Sequence, residues 1–162
     1  MIKTQFQNAT LITPAFPNWE KSFVSGPTSN LYQVEHRLQN DPLELITHVK
    51  FKDSAEGPPG HVHGGASAGI IDEVMGVLVW NQKYPCVTQT LSLKYLKPVP
   101  LKLDAYLITT LTAVNAKTIE VSCSIHNGGP DGNEKTPYVQ AVGVFHRLTQ
   151  EQLDRFSAEQ KK

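Results

Sequence analysis

One segment, residues 63–81, carries the apolar period of a long helix, and four β-rich runs follow it with no further helix between them. The runs are residues 85–96, 103–113, 117–126 and 137–148, separated by turn-forming stretches such as Asn-Gly-Gly-Pro-Asp-Gly-Asn. Another strand, residues 43–51, is rich in Leu, Ile, Val and Phe and precedes the helix, with a Glu-Gly-Pro-Pro-Gly loop between them. Strand, long helix and then a series of antiparallel strands is an α+β order, which a parallel βαβ fold would not produce. At 162 residues the chain suits a single domain with its own core.

Three stretches follow from this reading. Residues 1–42 contain Pro14, Pro17, Pro27 and Pro42 and read mainly as loops, with room for a short helix around 18–23. Residues 43–148 form the folded domain. Residues 149–162 read as a polar helical tail, because Thr149-Gln150-Glu151-Gln152 has the form of a capping box.

Lys plus Arg and Asp plus Glu balance at 15 each, so no overall field draws in nucleic acid or an anionic membrane. No apolar run reaches the roughly 18 residues of a membrane span. Residues 1–8 lack the basic-then-apolar order of a secretory signal, and Cys86 and Cys123 have neither metal nor redox spacing. Those features are the expectation for a cytoplasmic protein with reduced thiols.

The helix has two surfaces. On a wheel, Ile70, Ile71, Val74, Met75, Val77 and Leu78 fall within an arc of about 160°, a stripe suited to lying on a sheet. Gly65, Gly69, Asp72 and Gly76 gather within about 60° on another side. Each helical glycine costs about 1 kcal/mol relative to alanine, so their grouping suggests close approach to that face. Asp72 stands among them, with Ala68, Gly69, Met75 and Gly76 rather than a basic partner at i±3 and i±4. A structural acid is the alternative, but an unpaired acid in an apolar helix reads as a general base or nucleophile. Glu73 points between the surfaces and is the weaker candidate.

His63-Gly64-Gly65 opens the helix, where free N–H groups can hold an anion or oxyanion. The step from His63 to Asp72 is about 13 Å along the axis and half a turn around it. One helix therefore cannot direct both ends at the same small group. Two antiparallel copies side by side would bring one copy's Gly64 end to the other's Asp72, giving two composite sites per dimer. His61 and His63 also have the spacing of a metal pair in a strand, but no third ligand is suitably placed.

Three stretches together, Gly60-His61-Val62-His63-Gly64-Gly65, Ile71-Asp72-Glu73-Val74-Met75-Gly76 and Val87–Pro100 with its Tyr-x-Lys-Pro-x-Pro, resemble the hotdog-fold acyl-CoA thioesterases of the phenylacetic-acid-pathway and thioesterase-superfamily-member type. The resemblance runs over about residues 23–147. It implies a hotdog fold, an antiparallel sheet wrapped around one long central helix, with two subunits pairing into a continuous sheet. It implies hydrolysis of an acyl-CoA thioester at the dimer interface with no separate cofactor, CoA being part of the substrate.

By position, the Gly64 N–H polarises the carbonyl, His63 and Gly65 shape the helix start, and Asp72 of the other subunit activates water or attacks. Thr88, otherwise an ordinary strand threonine, takes the role of positioning the water. Lys97 or Lys94 are the candidates for CoA phosphates. Some relatives carry an asparagine before the histidine where this chain has Gly57-Pro58-Pro59-Gly60, so a contact from that side chain is missing. The acyl group and the pairing of dimers into tetramers stay open. Two other readings compete: a hotdog protein that binds an acyl ligand without cleaving it, and a metal-dependent hydrolase using His61 and His63.

Overall fold

The computed structural model describes residues 2–128 and 136–159. Among these residues seven strands form one antiparallel sheet: β1 (Thr10–Ile12), β2 (Tyr32–Asn40), β3 (Leu43–Phe51), β4 (Cys86–Tyr95), β5 (Ala105–Val114), β6 (Thr118–Asn127) and β7 (Val139–Arg147). Their order across the sheet is β1-β2-β3-β5-β6-β7-β4. The long helix, α2 (Gly64–Asn81), packs on the face formed by β3 to β7. The hotdog architecture expected from the resemblance is what the chain adopts.

Periodicity explains this packing. Along β6 every second residue is buried, namely Ile119, Val121, Cys123 and Ile125, as a pleat with one covered face requires. The six residues of the α2 stripe are all fully buried, and Ala66, Ser67 and Val79 join them, so the sheet curls around much of the helix. A buried Leu or Met of this kind contributes about 1.5–3 kcal/mol. Gly143 on β7 marks the closest approach, since a Cβ there would come within 2.7 Å of the Met75 sulfur and 2.9 Å of the Phe145 ring.

Residues 1–42 differ from their loop-rich expectation. They contain β2, nine residues long and paired with β3 from Tyr32↔Phe51 to Asn40↔Leu43, as well as β1 and a short helix, α1 (Ile2–Asn8). The folded sheet thus begins well before residue 43. Around residues 18–23 there is only a single 3-10 turn, Trp19–Lys21. The four later strands and the helix fall within two residues of their expected ends. The Asn127–Asn133 turn signal lies mostly outside the described residues.

The tail is a helix, α3 (Gln150–Glu159), closed by the expected capping box. The Thr149 N–H donates to Gln152 Oε1 at 2.8 Å, and the Gln152 N–H donates to Thr149 Oγ1 at 3.3 Å.

Candidate active site

Asp72 sits on the third turn of α2 where β4 crosses the helix. Thr88, sixteen residues away in sequence, donates from Oγ1 to Asp72 Oδ1 at 2.7 Å. The pairing of β4 with β7 shifts register between Thr88 and Thr90, so a bulge follows the threonine. Such irregularities re-aim side chains beside functional sites. Cys86, two residues before Thr88, is buried, and its thiol is pushed up to about 12 by burial and then by the Asp72 charge. It is a packing residue rather than a nucleophile.

The pair opens onto a cavity of about 370 Å³. Asp72, Gly76 and Trp80 form one wall at i, i+4 and i+8 of α2, and a Cβ on Gly76 would meet no atom within 4 Å. Leu153 and Phe156 of α3 and Phe16 of the N-terminal segment line the same cavity. None of these three was expected in the site. The Leu153–Phe156 spacing, i to i+3 on a short polar helix, was the available signal. Glu73 also lines it, but its Oε1 accepts from Ser22 Oγ at 2.7 Å and from Ser25 Oγ. That carboxylate ties the N-terminal segment to the helix.

His63 is the N-cap of α2. Its Nδ1 accepts the Gly65 N–H at 3.0 Å, and its own N–H donates to the Ala55 carbonyl at 2.8 Å. Acceptance at Nδ1 assigns the ring proton of the neutral form to Nε2. The cap thus occupies the Gly65 N–H. No acceptor meets the Gly64 N–H among the described residues. The Gly64 carbonyl accepts from Tyr95 Oη at 2.8 Å, joining the helix start to the far end of β4.

A second hollow, about 320 Å³, holds Gly64, Ser67, Tyr95 and Lys97 together. The Lys97 ammonium lies 4.4 Å from the centre of the Tyr138 ring. Lys94 lies elsewhere, beside Ser92 and Ser124. The expected residues therefore fall into two groups, Asp72 with Thr88 and Gly64 with Lys97, which one chain keeps in separate hollows.

The glycine face has local causes. A Cβ on Gly69 would come within 3.2 Å of Tyr32 Oη, which donates to the Ala66 carbonyl at 2.7 Å, while Gly76 borders the cavity. The histidines are likewise dispersed. His61 Nδ1 donates to the Pro59 carbonyl at 3.0 Å, and His48 Nε2 lies 2.8 Å from Asp104 Oδ1. His36 is held down to about 4 by burial. Among the described residues, no three His, Cys, Asp or Glu side chains are grouped to hold a metal ion. None of the described helices is long and apolar enough to cross a membrane.

Residues 59–132 match the thioesterase superfamily. Acyl-coenzyme A thioesterase THEM4 of Rattus norvegicus is 34% identical over 93 residues, covering 57% of this chain and 38% of that protein. THEM4 of Bos taurus is 30% identical over 150 residues, covering 92% of this chain and 60% of that protein. The chain thus spans less than two thirds of either relative. The crystal structure of a thioesterase superfamily protein superposes with a TM-score of 0.68 at 25% identity, covering 88% of this chain and 75% of that one. A hypothetical thioesterase from Streptococcus pneumoniae, solved with coenzyme A, superposes with a TM-score of 0.62 at 20% identity, covering 74% and 87%. The chain therefore has the hotdog fold of the thioesterase superfamily, and residues 59–132 carry that superfamily's sequence pattern.

Proposed function

We propose that this chain hydrolyses an acyl-CoA thioester to a carboxylic acid and CoA, in two composite sites of a homodimer. The observation that carries the reading is the Thr88–Asp72 hydrogen bond at the mouth of an apolar-walled cavity. The curated names of THEM4 relatives and the coenzyme A held by the Streptococcus pneumoniae protein support the substrate class.

Thr88 occupies one carboxylate oxygen and leaves Oδ2 for a water. In the proposed step Asp72 takes a proton from that water as its oxygen attacks the thioester carbonyl. The carbonyl becomes an oxyanion against the Gly64 N–H of the second copy. Collapse then breaks the C–S bond, and the proton passes to the CoA sulfur. Lys97, which lines the same hollow as Gly64, would take a CoA phosphate. The scheme draws on side chains and backbone N–H groups and calls for no cofactor.

β4 supports the dimer. It is the ten-residue edge of the sheet, with Val87 and Tyr95 largely exposed, and such an edge invites pairing with another chain. Its start holds Thr88 and Asp72, and its end holds Tyr95 and Gly64. Antiparallel pairing of two β4 strands would set each copy's Thr88–Asp72 pair beside the other copy's Gly64. Cys86 and Cys123 are free and buried, which suits a reducing compartment such as the cytoplasm.

Complementation tests the scheme. Asp72→Asn and Gly64→Pro, each nearly inactive alone, are mixed under conditions that exchange subunits, and CoA release is followed. Half the dimers become mixed and carry one intact site of two, so about a quarter of wild-type activity returns. No recovery from exchanged subunits rejects the composite site. A wild-type protein that binds acyl-CoA and releases no thiol rejects hydrolysis in favour of a binding module.

A further inference from the structure

The acid, the hydroxyl and the helix wall of the site lie inside the superfamily segment, residues 59–132, but the side chains that face that wall from the N-terminal segment and α3 do not. Phe16 comes from the N-terminal segment, and Leu153 and Phe156 come from α3. The capping box starts α3 directly after β7, which directs its apolar side back over the cavity. The floor is the lane from Asp72 across Gly76 to Trp80, about 12 Å of helix. Nothing stands over Gly76 within 4 Å of where a Cβ would be. Trp80 closes the far end, its indole N–H held by the Cys86 carbonyl at 3.2 Å.

We propose that this lane, roofed by Phe16, Leu153 and Phe156, receives the acyl group and selects a compact apolar one over a long chain. The proposal rests on the thioesterase reading. A carbonyl beside Asp72 would direct its acyl substituent along Gly76, where that wall carries no side chain. Four aromatic rings, Phe16, Trp80, Phe145 and Phe156, offer faces and edges to an apolar guest. The volume of about 370 Å³ lies near the bottom of the ~300–1,000 Å³ range of small-molecule sites. A long chain would have to displace Trp80 or α3.

The test measures kcat/KM by CoA release from acetyl-, octanoyl-, phenylacetyl- and palmitoyl-CoA. Wild type should favour octanoyl- or phenylacetyl-CoA over palmitoyl-CoA. Gly76→Leu places a side chain in the lane and should lower the octanoyl-to-acetyl ratio about 10-fold or more. Leucine is also the better helix former, so a melt confirms that the variant is folded. Leu153→Ala with Phe156→Ala opens the roof and should raise the palmitoyl-to-octanoyl ratio. Wild-type preference for palmitoyl-CoA overturns the size limit. Unchanged ratios in folded, active variants overturn the lane while leaving hydrolysis standing. A wild type inert toward all four overturns hydrolysis and the lane together.

Discussion

The two hollows along α2 have nearly opposite chemistry. The one at mid-helix joins a carboxylate and a hydroxyl to aromatic walls. The one at the helix start joins the Gly64 N–H to Lys97 and the Tyr95 hydroxyl. A helix N-terminus attracts negative charge, so an acid close to Gly64 would sit on the donors that an oxyanion needs. The eight-residue step from Gly64 to Asp72, about 12 Å, prevents that. In the proposed dimer the same separation becomes proximity, because the acid faces another copy's helix start. On the proposed scheme the division would keep base and oxyanion donors apart within a chain and join them only on assembly.

Replacing the acid should show this contrast most strongly. Asp72→Asn keeps the shape and the Thr88 contact but removes the base, so kcat should fall about 10²–10⁴-fold while the melting temperature stays near wild type. Stopped assays that show wild-type turnover in this variant would falsify the catalytic assignment. Gly64→Pro acts on the other hollow. It removes the N–H at the first helical position, where proline is tolerated, and His63 already has the extended conformation preferred before proline, ψ 138. A loss of about 10²–10³-fold with an unchanged melt is expected. If only KM rises, the N–H binds ground-state substrate rather than the oxyanion. Thr88→Ala should come next, since a hydrogen bond to a charged group contributes about 1.5–3 kcal/mol, or roughly 10–100-fold if all of it serves the transition state. An unchanged kcat across several acyl-CoAs returns Thr88 to an ordinary edge-strand residue.

Much of this arrangement was legible because it is periodic. Residues 43–51 predict β3 at its observed ends, and the helical wheel predicts the buried α2 stripe residue for residue, since burial on one face imposes its own spacing on the sequence. β2 has the same alternation, with Tyr32, Val34, His36 and Leu38 against Gln33, Glu35, Arg37 and Gln39. A histidine on the inner face and the surrounding prolines concealed it. His36 is tolerated there because Thr47 lies 2.9 Å from its Nδ1. α1 was not legible: its buried residue is Phe6, packed edge-on against His48 and Tyr106 from distant strands. The acid and the helix start could be found from spacing and resemblance. The roof over Asp72 shows in the sequence only as the apolar Leu153–Phe156 pair on a polar helix, because Phe16 and Phe156 meet the site only through the fold. Glycine on the helix face signalled closeness correctly, but at Gly69 the neighbour is the chain's own Tyr32.

Neighbouring acids give the finest test of the comparison. Asp72 and Glu73 border the same cavity, yet one is bonded by the threonine of the β4 edge and the other by Ser22 and Ser25 of the N-terminal segment. Glu73→Gln keeps the one oxygen that both serines share as acceptor but removes the charge. Its expected cost is about 1–2 kcal/mol of stability, or roughly 2–8 °C in melting temperature for a chain of this size. Turnover should change by less than about threefold, well below the effect at Asp72. A kcat loss comparable to that of Asp72→Asn would mean that the two carboxylates share the proton transfer. The serine contacts would then hold a second acid in the site, and the functional boundary would run between α2 and the N-terminal segment rather than between the two hollows.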